Sequence, residues 1–351
     1  MTIPRMAGPM TITAIRGAVK EKAQFAELHA QVEQCTKKEG SNGKPFWELR
    51  LRDAADNLTL RVWSDSPNVR VCEQLDDADC VAVEGEFYVN GAFGMDARRW
   101  ELRRLMPDER TALFEGSEAD RARVDEDYAF IERTVGALRD PRLRALTARF
   151  LETAGARFRR AAAARVNHHA RRGGLAQHTA QMMRAAMALC DVYGTLNRDL
   201  LAAGVLFHDC GKLWETCPPE EGFAIRPDLR GELMGHINIG VEVVNTLWRE
   251  LPKTDWDRLV PASDDVRLHL IHLVLSHHGQ LEFGSPVLPK TPEAIALHYI
   301  DNLDARLEMI SQAYATGKES SPGMFDFVRT LGAGPISPLP AFFEVDAAEE
   351  D

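Results

Sequence analysis

A chain of 351 residues, 45% hydrophobic and 27% charged, is long enough for two packed domains and too apolar to be disordered throughout. Its formal net charge of −11 argues against a surface that coats nucleic acid indiscriminately, although local charge decides what a single groove binds. No stretch approaches the roughly 20 consecutive apolar residues of a membrane span, residues 1–20 lack a secretion-type apolar segment, and the six cysteines form no C-x-x-C pair, so a cytoplasmic protein with reduced thiols and no membrane partner is expected.

Residues 1–20 read as an N-terminal extension. From 21 to 106 short segments alternate in the manner of strands, at Lys44–Arg52, Asn57–Trp63, Cys80–Val89 and Gly91–Arg104, separated by Gly and Asn turns. Several short strands in this arrangement predict a small barrel. Trp47, Leu49, Leu51, Leu58, Leu60 and Val62 fall on one face by period-two geometry, which sends Arg50, Arg52, Arg61 and Trp63 to the other. With Lys37, Lys38 and Lys44 at the first turn, that face carries the cations and aromatic surface that hold a single strand of nucleic acid. Tyr88 and Phe93 are further stacking candidates, while aromatics such as Phe46 and Phe87 serve equally well as core.

A linker is expected over 107–118. Between 119 and 318 the pattern is helical, with helices predicted at Asp120–Leu138, Pro141–Ala154, Leu175–Tyr193, Asp199–Phe207, Leu233–Leu251, Ala262–His277 and Pro292–Thr316. The arginines between Arg139 and Arg172 either extend a nucleic-acid groove or form a solvated helical face. Residues 319–351 read as a C-terminal extension, loosely held from Gly332 onward and acidic from Glu344.

Metal-ligand residue types recur through the helical part: His178 near a helix start, His208-Asp209 after the apolar run 200–207, then His236, His277-His278 and Asp301. Facing helices assemble metal sites from such side chains. His178, His208, Asp209 and Asp301 make one mixed nitrogen and oxygen set; a second ion would share Asp209 and add His236 with His277 or His278. Imidazole plus carboxylate suits manganese, iron, cobalt or zinc better than a pure magnesium or calcium site. Two bridged divalent ions are a hydrolase arrangement for in-line phosphoryl displacement, and Lys212 is placed to neutralise a phosphate oxygen. His29, His269 and His272 read as ordinary surface or core histidines.

The series resembles the HD-domain metal-dependent phosphohydrolases. The stretches His168-His169, Gly173-Gly174-Leu175 through His178-Thr179, Ser276-His277-His278-Gly279, Gly284-Ser285-Pro286 and His298 to Asp304 resemble the YhaM family of 3′ to 5′ exoribonucleases. Ser41 to Phe46 followed by Leu60-Arg61-Val62-Trp63 is similar to the opening strands of that family's OB-type domain, so the likeness runs over roughly residues 20 to 315. Two departures stand against it: Arg171-Arg172 before Gly173, and the acidic tail.

The resemblance implies a multidomain α+β protein, with an OB-type β-barrel at 21–106 and an all-α HD-domain bundle at 119–318. It implies metal ligation by His178, His208, Asp209 and Asp301, with His236 and His277 as the additional histidines of two-metal enzymes and His278 as ligand or phosphate contact. The implied activity is 3′ to 5′ hydrolysis of single-stranded RNA, and of single-stranded DNA as a further substrate, to nucleoside 5′-monophosphates. Two ions are implied, manganese first, with cobalt, iron, zinc or magnesium as alternatives. Asp209, Lys212 and His278 carry the chemistry on this reading; Lys44, Arg50, Arg52, Arg61, Trp63, His169, Arg171 and Arg172 hold the strand. Two other readings compete: an HD-domain phosphodiesterase or phosphohydrolase of nucleotides or cyclic dinucleotides, and a non-catalytic single-strand-binding protein. Association into a homo-oligomer is left open.

Overall fold

The computed structural model describes residues 8–20, 22–40, 43–54, 56–91, 94–115, 118–164, 172–223, 228–252, 256–316 and 319–340. A short helix, α1 (Ile12–Ala18), precedes a five-stranded antiparallel sheet of β1 (Gln24–Glu39), β2 (Pro45–Arg52), β3 (Asn57–Trp63), β4 (Cys80–Asn90) and β5 (Gly94–Arg104), with α2 (Val69–Cys72) inserted after β3. The order is β3-β2-β1-β4-β5. The 16-residue β1 is long enough to pair with β2 through its second half and β4 through its first, which curls the sheet around a single core.

Burial alternates as period-two geometry requires. Leu49, Leu51, Leu58, Leu60 and Val62 are buried with Leu28, Val32, Val81 and Val83, while Arg50 and Trp63 face out. The edge strand β5 borrows a partner from a side chain: buried Asn68 accepts from Leu102 N at 3.0 Å and donates to Trp100 O at 3.0 Å. An otherwise bare backbone edge is thereby satisfied. Ile12 and Ile15 are fully buried in the same core, so residues 12–19 belong to the sheet domain rather than to a free extension.

Part of the expected linker is helical, as α3 (Pro107–Glu115), because Glu109 of its first turn both accepts from Met106 N and pairs with Arg103. The helices α4 (Glu118–Gly136), α5 (Pro141–Arg160), α6 (Gly174–Val192), α7 (Arg198–Phe207), α8 (Leu229–Glu250), α9 (Ser263–Ser276) and α10 (Pro292–Thr316) follow. Every residue from Leu200 to Phe207 is buried, so α7 is enclosed on all sides, as a helix apolar all round must be. Gly204 lets α9 approach α7: a Cβ there would lie 2.3 Å from Leu273 Cδ2. The C-terminal ends of both helices are thus drawn into the interior together.

The sheet and helices up to residue 304 form one compact unit. Within it, Gln31 of β1 accepts from Phe223 N at 3.0 Å, Phe223 packs on Phe114 of α3 with ring centroids 5.3 Å apart, and Arg110 pairs with Glu221 at 2.5 Å. Residues 305–351 form a second unit. Its described part includes a small hairpin, β6 (Glu319–Ser321) with β7 (Met324–Phe325). Backbone bonds from Phe325 N to Pro335 O and from Ser337 N to Gly323 O hold residues 332–337, which composition alone marks as loose. The acidic stretch Glu344 to Asp351 lies outside the described residues.

Candidate metal centre

The five histidines of the ligand series come from four helices and one loop. His178 lies in the second turn of α6, and His208 caps the end of α7. Asp209 begins the 3-10 turn Cys210–Leu213. His236 follows Gly235, whose φ of 70° breaks α8 into two helical segments and turns the second toward Asp209. His277 caps α9, and Asp301 is on α10. Close approach is required at one further point: a Cβ at Gly211 would sit 1.9 Å from His236 O.

Two sets of donor atoms meet around Asp209. On one side His178 Nε2 lies 3.3 Å from both His208 Nε2 and Asp301 Oδ1, and 3.9 Å from Asp209 Oδ2; His208 Nε2 is 3.3 Å from the same oxygen. On the other, Asp209 Oδ1 lies 3.5 Å from His236 Nε2 and 3.6 Å from His277 Nε2. Donors sharing an ion at about 2.1 Å lie about 3 to 3.5 Å apart, so both spacings suit a common cation. His236, His277 and His278 each offer a nitrogen within 4.8 Å of the others.

The remaining nitrogens decide what these rings can do. His208 Nδ1 lies 2.8 Å from Val205 O, His277 Nδ1 2.7 Å from Val274 O, and His278 Nδ1 2.7 Å from Phe283 O. His178 Nδ1 faces Asp304 at 2.7 Å, and His236 Nδ1 faces Glu215 at 3.0 Å. A carbonyl or carboxylate oxygen only accepts, so each Nδ1 donates and the Nε2 lone pair is left for a cation. A satisfied core histidine uses both nitrogens. Here Asp209 Oδ1, His236 Nε2 and His277 Nε2 are buried with no hydrogen-bond partner at all. Three converging orphaned acceptors are costly without an ion between them.

Electrostatics agree with that arrangement. Burial would raise the Asp209 carboxyl, but Lys212, His208 and His277 hold it well below the usual carboxylate range. Asp301 is likewise held low against its burial, mainly by His178. Burial depresses His277, and burial with His277 and His236 beside it pushes His278 down to about 4, keeping both neutral and able to donate a lone pair at neutral pH. Burial also opposes charge on His178, yet Asp301 and Asp304 raise it to about 9. A divalent ion at Nε2 would displace that second proton and restore the lone pair as a ligand.

Lys212 places its ammonium 2.6 Å from Asp209 Oδ2 with both groups buried, so this cation is held inside the site. Glu215 and Asp304 have no role in the sequence reading. Asp304 was legible as the i+3 neighbour of Asp301 on one helix face; nothing in the spacing marks Glu215, which reaches both Nδ1 and the backbone N of His236 across 21 positions.

The strand-holding candidates are not part of this cluster. Arg50, Arg52, Arg61 and Trp63 lie on the outer face of β2 and β3, where Trp63 is paired with Phe46 at a centroid distance of 5.1 Å. Arg50 pairs with Glu48, and Arg52 with Glu33. Lys44 is at the turn before β2, and Tyr88 lies under Arg98. Arg172 donates to the carbonyls of Pro219, Glu220 and Gly222, so it fixes a loop. Several described arginines of this stretch are also engaged within the protein, among them Arg142 with Asp140, Arg157 with Leu213 O, Arg159 with Asp125 and Arg160 with Pro218 O. His169, Arg171 and Phe93 lie outside the described residues.

Residues 175–306 match the family model of the HD domain. The match begins three residues before His178 and ends five beyond Asp301, enclosing both donor sets. An HD domain of this kind supports a metal-dependent hydrolase of phosphoester bonds, and the donor set fits the divalent cations such domains bind.

Proposed function

We propose that this protein is a metal-dependent 3′ to 5′ exoribonuclease that shortens single-stranded RNA to nucleoside 5′-monophosphates, with single-stranded DNA as a further substrate. The observation that carries the hydrolase reading is the convergence of Asp209 Oδ1, His236 Nε2 and His277 Nε2, all buried and unpartnered. His178, His208, Asp209 and Asp301 would hold one ion; Asp209, His236 and His277, with His278 adjacent, would hold the other. Two divalent cations in such a pocket supply Lewis acidity and an activated water at neutral pH.

The chain's own residues do the rest. Lys212 brings a buried positive charge to the edge of the site, where it offsets the charge that develops on a phosphoryl oxygen. Glu215 and Asp304 keep their histidines in one tautomer and one orientation. The strand-holding part is assigned to the outer face of β2 and β3, where Trp63, 41% exposed, offers a stacking surface amid Arg50, Arg52 and Arg61. Manganese is the cation proposed first, from the mixed imidazole and carboxylate donors.

Digestion of 5′-labelled and 3′-labelled single strands, RNA beside DNA, tests this with manganese, cobalt, magnesium or chelator. Stepwise loss of 5′-mononucleotides from the 3′ end, abolished by chelator, is expected. Turnover of cyclic dinucleotides or mononucleotides with intact strands left untouched would replace it by a small-molecule phosphodiesterase; strand binding without any turnover would leave only a binding protein.

A further inference from the structure

The loop that follows α9 is tightly built. Gly279 at φ 77° and Gly284 at φ 86° reverse the chain on either side of the 3-10 turn Leu281–Phe283. Phe283 N, Gly284 N and Ser285 N bond back to Gln280 O, Leu281 O and Gln280 O. Buried Ser285 places its hydroxyl within hydrogen-bond distance of Leu275 O and Val287 O. His298 supports the loop from α10: a Cβ at Gly279 would come 2.2 Å from its ring, and its Nδ1 is 3.0 Å from His277 O.

A segment pinned this well nonetheless leaves Leu281 57% and Phe283 56% exposed. Tyr299, whose ring is 5.1 Å from that of His298, is 68% exposed. Scattered exposed apolar side chains need no explanation. Leu281 and Phe283 share one loop, and that loop is tied to the metal centre, since the Phe283 carbonyl accepts the Nδ1 hydrogen of His278 at 2.7 Å. Between Gly279 and Val287 there is no Lys or Arg, only Glu282, so this part of the loop offers a phosphate no cation. An exposed aromatic ring on a loop bonded to His278 suits the group next to the phosphate in a nucleotide, its base.

We propose that Phe283 forms an aromatic subsite that stacks the nucleobase of the terminal nucleotide, a role that rests on the exonuclease reading. The fixed loop gives the ring its position before substrate arrives, so little ordering is needed on binding.

The test compares release from two oligonucleotides that differ only in whether the 3′-terminal residue carries a base or is abasic. For the wild-type protein a KM lower by roughly tenfold for the base-bearing end is expected from stacking. Phe283→Ala should bring that ratio close to one, with the abasic strand as internal reference, and Phe283→Trp should restore it. A wild-type protein indifferent to the base, or a Phe283→Ala protein that keeps the full preference, overturns the subsite while exonuclease activity stands. No release from any strand with any metal overturns the exonuclease reading and the subsite with it.

Discussion

The nitrogen that points away from the pocket determines what each histidine can do inside it. Glu215 accepts from both Nδ1 and the backbone N of His236, and its carboxyl is held low by that ring despite burial. Glu215→Gln, whose amide presents a donor where a second acceptor is needed, should weaken binding of an ion at His236 by roughly 10- to 100-fold. Calorimetric titration with manganese measures this directly, and unchanged affinity with an intact fold would mean that Glu215 only braces the backbone. Asp304→Asn should do the same at His178. Glu215 was poorly legible because it is chosen by the fold: the ligands announce themselves through residue type, whereas Glu215 reaches its target across the kink at Gly235.

At the scale of elements, the helices were readable because their apolar residues recur with helical spacing and their ends carry ordinary signals, such as Asn197 accepting from Leu200 N. The central strand β1 was not read. Its buried Ala26, Leu28, Ala30 and Val32 do alternate, but Glu, Gln, His and Ala between and among them are as compatible with helix, and only pairing on both sides decides. Outside the metal centre, buried Arg142 is held by Asp140, which also caps α5. Burial works against the Asp140 charge, and the Arg142 guanidinium with the helix N–H groups nevertheless holds it below its ordinary value. Asp140→Ala should therefore cost about 3 kcal/mol, by stranding a buried charge and removing a cap. Because a depressed carboxyl stabilises only while ionised, the gap between wild type and variant should be full above the ordinary carboxylate range and shrink as pH falls below about 4; urea denaturation at pH 7 and pH 3.5 checks the sign. Asn68→Ala, which leaves two edge groups of β5 without partners, should destabilise the sheet by about 1 to 3 kcal/mol, read as a lower denaturation midpoint.

Across the sheet and helices up to residue 304, the segment from Trp214 to Phe223 joins the sheet to the metal centre. It begins where the Asp209 turn ends, contributes Glu215 to His236 and Thr216 to Ala162 O, and finishes with Phe223 seated on Gln31 and Phe114. The sequence marked the strands and the ligand series separately, and the link between sheet and ligands through this loop had no signature in either pattern. What all of it depends on is that the histidines and aspartates gathered around Asp209 hold cations. The direct measurement is metal content by mass spectrometry after reconstitution of chelator-treated protein with manganese and removal of free ion. Two ions per chain are expected for the wild type and neither for a folded Asp209→Ala protein; a wild type that retains none, or a variant that retains both, would contradict it.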